Sequence, residues 1–143
     1  MTDDRLWHYF TLEEANAALE TVRPILLAMQ EDHALLMAVQ DEYHAYEARL
    51  KRYGLVLESH RVEAEILDVV DRIKLGIEAI ALLGIELKDI EQGLIDFPAI
   101  RRGEIVYLCY RLDEPEIVAW HTLDSGFGGR RAIDDPFDTT KPG

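Results

Sequence analysis

The sequence predicts an α+β fold: a long antiparallel helical hairpin, coiled-coil-like and kinked near Pro24, packed on a three- to four-stranded antiparallel β-meander. Three observations predict it. Apolar residues recur at heptad spacing from Leu12 to Leu50, a second helical stripe runs from Val62 to Leu83, and the period falls to two after Gly84.

The first helix is expected over residues 11–53. Thr11 and Glu14 form a capping box, in which each side chain satisfies the other residue's free backbone N–H. Two interleaved sets then make an a/d seam: Leu12, Leu19, Leu26, His33, Gln40 and Glu47 with Ala15, Val22, Met29, Leu36, Tyr43 and Leu50. Lys51 and Arg52 suit the negative end of the helix dipole, and Gly54 suits the residue just beyond it. Such a helix is on the order of 60 Å long at a rise of about 1.5 Å per residue. Pro24 removes a hydrogen bond and crowds the preceding turn, so two helical pieces with a bend between Thr21 and Pro24 are expected.

The second helix is expected over 59–83, with the stripe Val62, Ile66, Val69, Ile73, Ile77 and Ile80, closed by Gly84. A short link makes the two helices antiparallel neighbours. The second is shorter and reaches back only to about Met29. The stripe from Leu12 to Leu26 must therefore bury against the C-terminal half of the chain or against a second copy.

Residues 85–123 read as the meander, with strands in "IELKDI", "GLIDFPAI", "EIVYLCYRL" and "EIVAWHTL". Arg101-Arg102-Gly103 fits a three-residue hairpin loop, and Asp113 to Glu116 a turn with Pro115 at the corner. In that register one face carries Ile95, Phe97, Ala99, Ile105, Tyr107, Cys109, Val118 and Trp120. The other carries Leu94, Ile100, Val106, Leu108, Tyr110, Leu112, Ile117 and Ala119. Two apolar faces both need cover. With the unmatched helix length, this predicts a homodimer through the leading helix and the sheet. Residues 1–133 are expected to form one domain and 134–143 a flexible tail.

A chain of 143 residues that is 48% hydrophobic can bury a real core, so it is not a disordered segment. Its net charge of -13 disfavours nucleic acid and anionic membrane surfaces. No apolar run is long enough for a membrane span, and the N-terminus has no signal-like apolar region. With one cysteine, Cys109, no intramolecular disulfide can form, and a cytoplasmic location is expected.

The polar residues of "EPEIVAWHTLDSGFGGRR" hold the main candidate site. His121 shares a sheet face with Asp96 in the expected register, and Glu116 and Asp124 are near in sequence. Histidine with carboxylates serves acid–base or metal chemistry, so His121, Asp96 and Glu116 are candidate divalent-metal ligands. A hydrogen-bonded structural histidine at a strand end competes with that reading. The glycine-rich loop from Asp124 offers backbone N–H groups, and Arg130 and Arg131 can grip a carboxylate or phosphate. The same arginines can simply pair with acidic helices. An alternative metal set lies near the hairpin tip, where His44 and Glu47, and His60 and Glu63, are each three residues apart and share a helix face. Polar seam positions more commonly set register. Cys109 reads as core rather than as a reactive thiol.

"YFTLEEANAALETVRPILLAM" and "GIELKDIEQGLIDFPAIRRGEIVYLCYRLDEPEIVAWHTLDSGFGGRRAI" resemble an uncharacterised bacterial family, domain of unknown function 2203, from Phe10 to Ile133. The strongest pieces are Gly93 to Pro98, Val106 to Leu112, and Trp120-His121 with the following Gly-Arg loop. The resemblance implies a small bacterial cytoplasmic protein of this shape and places Asp96, Glu116, His121 and Arg130 in a family pattern. It transfers no catalytic residue. Two functions follow as expectations: a homodimeric interaction or scaffold protein using the hairpin as an arm toward a protein partner, or a small-ligand or metal-binding protein, enzymatic or not, centred on His121 and the Gly-Arg loop.

Overall fold

The computed structural model describes residues 8–53, 59–134 and 137–140, without the side chains of Ser59, His60 and Thr140. The capping box forms as expected: Glu14 N–H donates to Thr11 Oγ1 at 3.1 Å, and Thr11 N–H to Glu14 Oε1 at 2.9 Å. Helix α1 then runs unbroken over Leu12–Tyr53. The expected division into two pieces does not occur, because Pro24 lies inside one continuous helix. An interior proline costs about 3 kcal/mol. Val22 and Leu26 on either side of it are fully buried, and each such side chain returns about 1.5–3 kcal/mol.

Helix α2, Ser59–Leu82, returns along α1. Gly84, at φ 82°, closes it with the paired bonds of a Schellman motif, Gly84 N–H to Ala81 O and Ile85 N–H to Ile80 O. A side chain at Gly84 would also run into His8 Cβ. Gly54 lies outside the described residues.

Six strands follow: β1 Glu86–Asp89, β2 Leu94–Arg101, β3 Glu104–Arg111, β4 Ala119–Thr122, β5 Arg131–Ala132 and β6 Thr139–Thr140. They form one antiparallel sheet in the order β1-β2-β3-β4-β5, with β6 beside the end of β2. The strands β5 and β6 extend the expected meander. β6 belongs to the segment expected as a tail, and Thr139 Oγ1 accepts the N–H of Leu12 at the start of α1.

The first hairpin corrects the expected register. Arg101 pairs with Glu104, so the loop is the two residues Arg102 and Gly103, at φ 51° and 80°. Two positive φ angles match the twist of the flanking strands better than a three-residue loop does. A one-residue shift turns a strand over. Val106, Leu108 and Tyr110 thus join Ile95, Phe97, Ala99 and Trp120 on the helix side, all 7% exposed or less. They share one core with Val22, Leu26, Val69 and Ile80. The opposite face carries Leu94, Asp96, Pro98, Ile100, Ile105, Tyr107, Cys109, Ala119 and His121. It is a mixed face, with Asp96 and His121 buried among apolar residues, rather than the uniformly apolar one the expected register required. The stripe from Leu12 to Leu26 finds its cover within the chain, in that same core. The unmatched helix length therefore no longer calls for a second copy. No described helix is long and apolar enough to cross a membrane.

Candidate functional site

The far face of the sheet should be greasy or wet, and at its centre it is neither. Asp96 on β2 stands opposite Cys109 on β3, and His121 on β4 stands opposite Tyr107, one step along the same face. Asp96 and His121 are each 2% exposed and Cys109 is fully buried. One ligand-type atom from each lies within 4.8 Å of the other two, the group of this kind found among the described residues.

Hydrogen bonding fixes the imidazole. His121 Nδ1 lies 2.8 Å from Thr122 O, and Nε2 lies 2.9 Å from Asp96 Oδ2. A carbonyl oxygen only accepts, so Nδ1 carries a proton and donates it. Nε2 then either holds a second proton for a carboxylate or presents its lone pair to a protonated Asp96. Burial pushes the Asp96 carboxyl upward, and His121 opposes that shift. Burial, reinforced by the neighbouring Asp96 charge, pushes the Cys109 thiol up to about 12. The second carboxylate oxygen, Oδ1, is buried without a hydrogen-bond partner. Such an atom normally finds one.

The Gly-Arg loop closes over the end of this face. Arg130 Nη2 donates to Glu114 Oε1 at 2.6 Å and to the carbonyl of Cys109 at 3.2 Å. Its guanidinium also lies over the Phe127 ring. Glu114, 9% exposed, takes a further bond from Arg111 N–H at 2.7 Å. Gly129 permits the loop's tight turn, since a side chain there would collide with Ser125. Arg130 thus locks the carbonyl behind the Cys109 thiol. Arg131 instead faces the helix side, where it and Arg101 flank the Trp120 ring.

Of the residues the sequence singled out, Asp96 and His121 come together. Glu116 does not join them: it is exposed beside Pro115, Asn16 and Arg23 on another surface. Asp124 is exposed and accepts from Thr122 Oγ1 at 3.0 Å. Near the hairpin tip, Glu63 accepts from Tyr43 at 3.2 Å, and the ring of His44 lies against Tyr43. The His60 side chain lies outside the described residues, so the tip set of His44, Glu47, His60 and Glu63 is not assembled among them.

Cys109 and Glu114 were missed. The sole signal for Cys109 was β3 parity, and the wrong loop length placed it on the core face. Glu114 had no signal beyond its place in the turn between β3 and β4.

A family model described as an uncharacterized conserved protein, DUF2203, matches residues 8–133. The chain belongs to this family. No curated protein and no solved structure matches it. The matched range spans the helical hairpin, all three residues of the buried cluster and the arginine that backs it, so hairpin and cluster both fall within DUF2203.

Proposed function

We propose that this DUF2203 protein is a homodimeric interaction protein whose helical hairpin is the contact surface, each arm lying antiparallel on the arm of a second copy. The observation that carries the reading is the imbalance along α1. Five of its buried apolar residues lie between Ala15 and Met29, and beyond them only Val39 is buried. Among the described residues, the outer part of α1 packs on α2. Leu35 and Met37 on α1 stay exposed, as do Leu67 and Leu75 on α2 at 63% and 65%. Two helices in isolation hide too little apolar surface to be stable by propensity.

The charge pattern supports a second copy as the occupant. Residues 49–61 hold Arg49, Lys51, Arg52 and Arg61 against the single acid Glu58. Residues 31–42, toward the root of the arm, hold Glu31, Asp32, Asp41 and Glu42 and no Lys or Arg, with Asp32 paired to Arg72 of α2 at 3.1 Å. An antiparallel two-fold pairing sets each basic tip on the partner's acidic root, which a parallel pairing would not do.

Light scattering of the full chain at micromolar concentration should give the mass of two chains. Leu67→Glu with Leu75→Glu should give one chain without loss of helix by circular dichroism. A monomeric wild-type protein would refute the reading. A second reading, a ligand- or metal-binding protein centred on His121, is favoured by one observation, the unpartnered Asp96 Oδ1.

A further inference from the structure

We propose that Asp96, Cys109 and His121 form a binding site for a thiophilic divalent cation of the zinc class, with three protein ligands and one further coordination position. The inference is independent of the dimer reading and concerns a different face of the molecule.

The ligand chemistry narrows the ion. A carboxylate, a thiolate and an imidazole together suit zinc, whereas magnesium and calcium take oxygen ligands. The three donors come from three adjacent strands, so the sheet itself holds their spacing. Tetrahedral bonds of about 2.0–2.3 Å put ligand atoms roughly 3.3–3.8 Å apart. The metal-free cluster, with all atoms within 4.8 Å and Asp96 Oδ2 2.9 Å from His121 Nε2, needs small side-chain adjustments and no backbone rearrangement to reach that spacing.

Two features of the surroundings point to a cation rather than to a plain ion pair. His121 donates Nδ1–H to the Thr122 carbonyl, the outer bond that commonly orients a metal-bound imidazole and leaves Nε2 as the donor. Asp96 Oδ1, in a side chain 3% exposed, has no hydrogen-bond partner, although the carboxylate has His121 on its other oxygen and the Cys109 thiol as a side-chain hydrogen-bond neighbour. A structural pair would be expected to satisfy both oxygens. The charges also balance: a dication with one carboxylate, one thiolate and a neutral imidazole is a neutral unit, the form a buried site tolerates. Binding expels the thiol proton, so one proton leaves Cys109 for each ion bound, and a second leaves wherever Asp96 or His121 holds it.

Cobalt(II) is the probe. Full-length protein, made without an affinity tag or chelator, is titrated with cobalt and followed by absorption, then with zinc in competition. One equivalent of cobalt should produce visible bands of tetrahedral type and a near-ultraviolet thiolate-to-cobalt band, which zinc should abolish. Cys109 is the only cysteine, so that band reports this site and no other. Cys109→Ser should remove it and weaken zinc binding by at least about tenfold, in line with the loss of a metal-supporting group. Wild-type protein with no thiolate band, and with no change in melting temperature on adding zinc, would overturn the proposal. So would zinc binding that Cys109→Ser leaves unchanged. If Cys109→Ser fails to fold, the wild-type band alone decides.

Discussion

The helix side of the sheet and the centre of its far side are both deeply buried, by different means. The helix side packs Ile95, Phe97, Leu108 and Tyr110 against α1 and α2 and needs nothing but shape. The far side buries Asp96, Cys109 and His121, three groups that must each be desolvated and then partnered. Hydrophobic residues of similar volume would cover a sheet at less cost. The contrast teaches that the helix side accounts for the fold, while the far side asks for an explanation beyond folding.

The largest effect should come from the helix side. Phe97→Ala removes a fully buried ring that also meets Phe10 edge-on at 5.1 Å. Denaturant unfolding should show a loss of about 3–5 kcal/mol. A loss under about 1 kcal/mol would mean this face is not the core.

On the far side the expected cost is of similar order but different in kind. His121→Ala or Asp96→Asn breaks the buried pair and should cost about 3 kcal/mol, because the remaining partner stays desolvated. The double change Asp96→Leu with His121→Leu should recover most of that loss or exceed the wild type in metal-free buffer. Such strong non-additivity would sharpen the contrast between faces. Additive losses would erase it, since they would make the polar pair an ordinary stabilising contact.

The sequence made the helix side legible and the far side only in part. The capping box at Thr11, the closing Gly84 and all four meander strands follow from local chemistry, each readable within a few residues. Register depends on loop length, and a three-residue reading of "RRG" is one residue longer than the loop of Arg102 and Gly103 at positive φ. That error turned β3 over. A second shift of one residue, between β3 and β4, cancelled it for β4. Asp96 and His121 were therefore placed correctly on one face while Cys109, on the strand between them, was not. Strands β5 and β6 have two residues each, too short for any period to show, and exist because β4 and β2 offer them an edge.

A smaller effect tests the loop that backs the cluster. Arg130→Met keeps the stem over Phe127 but removes the bonds to Glu114 and to the Cys109 carbonyl. The pair is largely shielded, with side chains 18% and 10% exposed, so a loss of about 1–2 kcal/mol is expected. If the loop serves only itself, the cobalt spectrum described above should be untouched. A blue or red shift of the thiolate band in Arg130→Met would tie the loop to the geometry of the site.

The smallest effect returns to the helix side and depends on pH. Burial raises the Tyr110 phenol above its usual 10.0; Arg23 opposes the rise, while Glu114 and Asp113 add to it. Above about pH 10 the unfolded chain loses this proton while the folded chain keeps it. The unfolded state then binds fewer protons, so stability falls as pH rises. Below pH 10 both states hold the proton and the group contributes no slope. Tyr110→Phe keeps the buried ring and gives up only a 3.4 Å bond to Leu112 O, so it should cost under about 1 kcal/mol near neutrality. Its stability should then fall less steeply than the wild type's between about pH 10 and 11. Parallel curves would mean that water reaches the Tyr110 hydroxyl, and that the helix side is less tightly sealed than the buried pair on the far side.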